Sequence, residues 1–261
     1  LPKEKWIDKR REDVLDAPYF HVVFTVPQEL NPLIYSNQQL LYDALYHSVS
    51  DTINELTADN KHLGAKVGYI CVLHTWGSEM NYHPHIHVIL LGGGLSAKNQ
   101  WRDKGEEFFL PVKVLSKVFR GKYMAELKSL YKDNKLEFHG SSEKYRNSYT
   151  FKELLDNCYN KDWVPHCKKT FNGAQSVINY LGKYTHRIAI SNHRIIRMDE
   201  DTVTYYVKDY REEGKWKELT IPGVEFVRRF LMHVPPKRFV RIRHYGLLCT
   251  CSKKQALNFM S

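Results

Sequence analysis

The segment His83-Pro84-His85-Ile86-His87-Val88-Ile89-Leu90-Leu91, running into Gly92-Gly93-Gly94, constrains the fold more than any other stretch. Its aliphatic and β-branched residues predict a strand that ends on the glycines. Side chains alternate faces along a strand, so His85 and His87 project from one face and Ile86 and Val88 from the other. One side must sink into a core while the other presents two imidazoles. On a rigid strand such a pair can hold a metal ion from one side and leave the rest of its shell open. A half-buried strand with ordinary polar histidines is the plainer reading, but three histidines in five residues weigh against it.

The neighbouring stretches build a sheet around this strand. Tyr19–Val26 is rich in β-branched and aromatic residues, stops at Pro27 and predicts the first strand. Ser36-x-x-Gln39 has the form of a capping box. After it Leu40, Leu41, Ala44, Leu45, Val49, Ile53 and Leu56 recur at helical spacing and predict an amphipathic helix. Val67–Thr75 predicts a second strand. The short loop from Trp76 to Asn81 folds the chain back, so the histidine strand should run antiparallel to it. His74 would then lie opposite His85 or His87 and is the favoured third ligand, with Glu79 and His83 as alternatives.

Further along, Val114–Tyr131 and Phe151–Tyr159 predict helices, separated by polar turns around His139 to Asn147. Ala174–Tyr184 predicts a short helix with Asn172 as N-cap, and Ile188-Ala189-Ile190 begins a strand. Thr202–Tyr210 and Lys215–Ile221 flank Glu213-Gly214 as a hairpin, and Val224–Val234 forms a last helix before Pro235-Pro236. The expected organisation is a charged arm over 1–16, a core over 17–195 with a helical insertion near 98–170, and a basic accessory region over 196–261.

Tyr180 and Tyr184 stand at i and i+4 of the predicted helix, about 6 Å apart along its axis. Ala174, Val177, Ile178 and Leu181 form its buried stripe, and both tyrosines fall along one edge, where a hydroxyl can face a cleft. A phenol can attack a phosphodiester if a nearby cation stabilises the phenolate, and the product is a covalent ester. By itself such a pair reads as core packing. Beside a histidine metal site in a basic chain it reads as a pair of nucleophiles.

The charge fits a nucleic-acid partner: Lys plus Arg exceed Asp plus Glu by ten, and the pI is near 9.2. Arg228, Arg229, Lys237, Arg238, Arg241 and Arg243 fall within sixteen positions. The alternation from Phe239 to Arg243 would put Arg241 and Arg243 on one strand face, able to track a phosphate backbone. Lys183 and Arg187, next to the tyrosines, are candidate phosphate clamps. Five cysteines without a framework spacing predict reduced thiols, and no apolar run reaches membrane-spanning length.

The wider wording carries a resemblance. His85-Ile86-His87 matches the histidine–hydrophobe–histidine (HUH) motif of single-strand DNA nucleases, and Tyr180 and Tyr184 match the paired nucleophiles of their two-tyrosine branch. His74-Thr75-Trp76-Gly77, Phe108 to Ser116, Tyr180 to Arg187, and Arg228 through Gly246 resemble the two-tyrosine rolling-circle transposases of bacterial insertion sequences.

The resemblance runs from about Tyr19 to Leu248. It implies an α+β fold with a ferredoxin-like or RRM-like antiparallel sheet carrying the histidines and the tyrosine helix across the metal site. It also implies nicking of single-stranded DNA at transposon ends, a 5′-phosphotyrosine link and a free 3′-OH. Three imidazoles suit zinc, manganese or another transition metal by ligand preference, while availability in the cell favours Mg2+ or Mn2+. The implied setting is the bacterial cytoplasm, at the nucleoid and not a membrane. Family members commonly carry a cysteine- and histidine-rich zinc-binding segment upstream of such a core. The sequence opens on Leu1 rather than methionine, as a fragment would.

Three other readings are open to the sequence. One is a plasmid relaxase or rolling-circle replication initiator with the same chemistry. Another is a zinc hydrolase using His74, His85 and His87. The third is a non-catalytic single-strand nucleic-acid-binding module.

Overall fold

Strict alternation governs the first strand, β1 (Tyr19–Thr25): Phe20, Val22 and Phe24 are buried, while His21, Val23 and Thr25 are half-buried on the other face. The structure, a computed structural model, describes residues 17–105, 110–163, 165–169, 189–209 and 212–249. After β1 the chain forms α1 (Asn31–Ser36) and α2 (Gln38–Ala58), then the hairpin of β2 (Lys66–Trp76) and β3 (Tyr82–Leu95). A short β4 (Trp101–Asp103), α3 (Val112–Lys132), α4 (Ser148–Tyr159) and β5 (His166–Lys169) complete the first layer.

The main sheet runs β5-β1-β3-β2, with every neighbouring pair antiparallel. Strand, helix, hairpin, helix, strand in the spatial order last, first, third, second is the ferredoxin-like arrangement. Both long helices lie on one face. Phe20, Val22 and Phe24, with Cys71, Leu73, Ile86, Val88 and Leu90, pack against Tyr42, Leu45, Tyr46 and Val49 of α2 and Leu115, Phe119 and Tyr123 of α3. The segment expected as an insertion therefore supplies the second crossover helix of the fold, because its apolar stripe is needed to cover the sheet.

Other expectations are corrected. Ser36 closes α1 and caps nothing at the start of α2. The neighbouring Asn37 bridges instead: its amide donates to the carbonyls of Leu33 (3.0 Å) and Glu137 (2.7 Å), and its oxygen accepts the Glu137 N–H (2.7 Å). The three glycines lie inside β3 rather than ending it, and Gly93 and Gly94 pair with β4. A Cβ at Gly94 would collide with the Lys66 carbonyl, so the run marks a close strand approach at the bulge between Val67 and Tyr69. Ala189 sits at φ +51°, outside strand geometry. The next strand begins at Ile195.

That strand, β6 (Ile195–Met198), joins β7 (Thr202–Asp209) and β8 (Lys215–Pro222) in a second antiparallel sheet. Its inner face and α5 (Gly223–Leu231) enclose Val203, Tyr205, Val207, Ile221, Phe226 and Phe230 around Met80 and Trp76 of the β2–β3 hairpin. The chain then returns to the main sheet, where β9 (Ile242–Gly246) pairs with β2 and Tyr245 stacks on Tyr69 at 5.0 Å.

Candidate metal centre

The register of the β2–β3 hairpin sets His74 directly opposite His85, with Val72 opposite His87. Side chains opposite one another share a face, so His74, His85 and His87 converge. One ring nitrogen from each lies within 4.8 Å of the others. Ile86, Val88 and Leu73, on the reverse face, are fully buried in the core and fix the backbone from which the imidazoles project. Glu79 and His83, the alternative ligands, are not in this group.

The outer nitrogens are oriented by neighbours. His85 Nδ1–H donates to the His83 carbonyl at 2.6 Å. His87 Nδ1 lies 2.8 Å from His21 Nε2, and the two rings stack with centroids 5.1 Å apart. That leaves the Nε2 atoms of His85 and His87 facing each other at 3.0 Å. Two nitrogens held by one ion at about 2.0–2.1 Å each would stand at such a separation. With both Nδ1 atoms protonated, the facing lone pairs repel unless a cation lies between them, so the donor set fits a metal. Burial pushes His85 down to about 4 and His87 well below the ordinary imidazole range, and the neighbouring histidines add to the effect. Both are therefore neutral near pH 7, the state a ligand requires.

His21 is a residue the sequence reading missed. Its alternation with Phe20 and Val22 marks it as facing away from the core, but only the pairing of β1 with β3 brings it beside His87.

The hairpin turn below the histidines is gripped by the second layer. Glu79's carbonyl accepts from Tyr205 Oη (3.1 Å) and Arg229 Nη1 (3.0 Å), and Met80's carbonyl accepts from His233 Nε2 (3.0 Å). Arg194 donates to the Ser78 carbonyl. Buried Met80 fills the inner pocket of the second sheet. The accessory layer thereby fixes the turn joining the two histidine strands.

The predicted DNA contacts divide. Arg228 and Arg229 share the carboxylate of Glu225, whose pKa they hold down at about 2. Arg243 turns inward: its guanidinium sits 4.0 Å from the Tyr46 ring centre and pairs with Asp43 on α2. The Arg241 carbonyl accepts from Leu73 N–H (3.0 Å) and Tyr46 Oη (2.5 Å), anchoring the approach to β9. Lys237 and Arg238 are exposed. Tyr180, Tyr184, Lys183 and Arg187 lie outside the described residues, as do the predicted helix Ala174–Tyr184 and the arm over 1–16. Among the described residues no helix is long and apolar enough to cross a membrane.

Comparison with known proteins follows the same line. A family described as "Putative transposase" matches residues 68–256. "Putative transposase y4qJ" of Sinorhizobium fredii is 39% identical over 98% of this chain and 65% of its own length. "Transposase for insertion sequence element IS801" of Pseudomonas savastanoi pv. phaseolicola is 26% identical over 94% of this chain and 58% of its own. The chain thus spans less than two thirds of the length of these relatives. A solved structure of the conjugative relaxase TrwC with oriT DNA, metal-bound, overlaps 63% of this chain and 71% of its own at 15% identity, with a TM-score of 0.35. The family match spans most of the chain, and the protein belongs to the two-tyrosine family of rolling-circle transposases.

Proposed function

We propose that this chain nicks and rejoins single-stranded DNA at the ends of an insertion sequence, with Tyr180 and Tyr184 as successive nucleophiles. The observation that carries the reading is the convergence of His74, His85 and His87 on one sheet face, with their ring nitrogens within 4.8 Å. In the first step a tyrosine phenolate oxygen attacks the scissile phosphorus, its proton having left to solvent. A phosphotyrosine bond forms at the 5′ side, the P–O3′ bond breaks, and the leaving oxygen takes up a proton as a free 3′-OH. The ester preserves the phosphodiester's bond energy, so a later 3′-OH can displace the tyrosine and reseal a strand. The second tyrosine allows another cleavage while the first strand is still held. His74, His85 and His87 would hold the divalent ion, Mg2+ or Mn2+, which when bound polarises the phosphate and stabilises charge developing on it. Lys183 and Arg187 clamp flanking phosphates, and Lys237 and Arg238 offer exposed positive charge to the backbone.

The test is incubation with single-stranded element-end DNA and Mn2+, followed by a denaturing gel. The wild type should leave a covalent protein–DNA band that disappears in chelator and in the Tyr180→Phe/Tyr184→Phe double variant. An undiminished band from that double variant sinks the assignment of the nucleophiles. Strand cleavage without any band favours hydrolysis by water.

A further inference from the structure

The second sheet has an outer face whose composition differs from its inner one. Alternation puts Val203, Tyr205 and Val207 on the inner face, and Thr204, Tyr206 and Lys208 on the outer one, where Thr204 is buried and Tyr206 and Lys208 are exposed. The register places Trp216 opposite Lys208, Glu218 opposite Tyr206 and Thr220 opposite Thr204. Arg197 of β6 joins the same face, across from Thr204. Two large aromatics therefore stand in the open on this face: Trp216 is 55% exposed and Tyr206 40%. Their rings lie 6.5 Å apart, and Lys208 Nζ and the Arg194 guanidinium lie 5.2 Å and 5.8 Å from the Trp216 ring centre.

We propose that this outer face is a stacking platform for single-stranded DNA. Exposed aromatics on an open sheet stack unpaired bases without regard to sequence, and cations among them neutralise the phosphates between successive bases. Lys208, Arg194 and Arg197 supply that charge; Glu218 on the same face and Asp199, 3.9 Å from Arg197, oppose it in part, and the remaining positive balance favours a polyanion over a basic or neutral protein surface.

The platform also continues toward the histidines. A cleft of about 590 Å³ lies between Lys208 and His83; Asn81 and Glu79 also line it, as does Lys217, which is paired with Asp209 at 2.6 Å. The His83 ring lies 5.2 Å from that of His85. A strand seated at the metal centre can cross this cleft and lay its next bases on Trp216 and Tyr206. The choice of DNA over other single strands rests on the proposed nicking activity. The platform itself does not.

The test is an anisotropy titration of the full chain with labelled oligothymidylate in chelator, where no nicking occurs. Trp216→Ala and Tyr206→Ala should each weaken binding roughly 5- to 150-fold, the range for loss of a stacked base. Trp216→Phe should retain most of the affinity. Lys208→Ala should flatten the dependence of log affinity on log salt by about 0.7, the share of one phosphate on a single strand. Binding by the Trp216→Ala/Tyr206→Ala double variant within twofold of wild type overturns the platform, as does a Trp216→Phe variant as weak as Trp216→Ala. Absence of a covalent adduct in the Mn2+ gel assay alongside intact Trp216-dependent binding would discard the tyrosine-nicking reading and leave the platform standing.

Discussion

His21 on β1 and His87 on β3 share a hydrogen bond of 2.8 Å between stacked rings only 8° from parallel. The bond fixes which nitrogen of His87 is turned toward His85. A ligand imidazole whose outer nitrogen is held by a neighbour is pre-set in tautomer and orientation, and loss of that neighbour commonly costs 10- to 100-fold in metal affinity. His21→Phe keeps the stack and removes the acceptor, whereas His21→Gln keeps an acceptor and removes the ring. Mn2+ or Co2+ titration by calorimetry should find the Phe variant about 10- to 100-fold weaker and the Gln variant closer to wild type. Equal affinities for the Phe variant and wild type would show that packing, not the hydrogen bond, is what His21 provides.

His233 governs a pH dependence of another kind. It is 2% exposed, accepts from the Thr75 hydroxyl at 3.1 Å through Nδ1, and donates from Nε2 to the Met80 carbonyl. Burial lowers its pKa, partly opposed by the bond to Met80. In the unfolded chain the imidazole takes up a proton near pH 6.5, while in the fold it resists until lower pH. Its contribution is therefore fully present above about 6.5 and is lost as pH falls toward the folded value. Replacing it by Leu removes that titration but strands the Met80 carbonyl. Thermal melts of the metal-free protein should show a smaller drop in Tm between about pH 7.5 and about pH 5.5 for His233→Leu than for wild type. Parallel curves would remove His233 from the account.

How much of this was legible beforehand follows from range. The patterns of Tyr19–Val26 and Val114–Tyr131 reflect burial on one side of a local element, and the apolar run Val67–Thr75 reflects a strand buried on both faces; each became the element its pattern implies. His74 opposite His85 was legible because only a short turn separates the two strands. His21 was not, since β1 reaches β3 across sixty-six residues and nothing local announces the pairing. Arg243 looked like a phosphate contact for the same reason: its partner Asp43 lies 200 positions away. Trp216 and Tyr206 could not be singled out, because composition cannot say which sheet face is left uncovered.

Asn37 gives a test of the fold's least anticipated joint. It is 7% exposed and replaces backbone pairing for both the N–H and the carbonyl of Glu137. Asn37→Ala leaves these two groups without their partner in a nearly closed setting, at about 1–3 kcal/mol for each buried unsatisfied group. Part of that cost is recovered because water reaches the Glu137 side, so a total near 2–4 kcal/mol is expected in urea unfolding. A change below about 0.5 kcal/mol, the range of an ordinary surface substitution, would mean that water replaces the amide without loss.

The glycines separate positions that require the smallest side chain from one that does not. Gly121 lies in the middle of α3 with no atom within 4 Å of where a Cβ would go. Alanine there keeps every contact and removes backbone freedom from the unfolded chain, which should stabilise the protein by about 0.5–1 kcal/mol. Gly94 has ordinary strand geometry but no room, since a Cβ would strike the Lys66 carbonyl, a backbone atom held in the β2–β3 ladder. Gly246 has neither room nor a free choice of conformation, because its φ is +57° and a Cβ would meet the Val67 carbonyl. The sheet cannot open there without breaking the Leu247 N–H to Val67 hydrogen bond of 3.2 Å. Gly246→Ala should therefore cost more than Gly94→Ala, and both should lose stability while Gly121→Ala gains it. Urea midpoints of the three variants give the order directly. A neutral Gly94→Ala would mean that β2 shifts at its bulge without cost, and that the glycine run reflects something other than close strand approach.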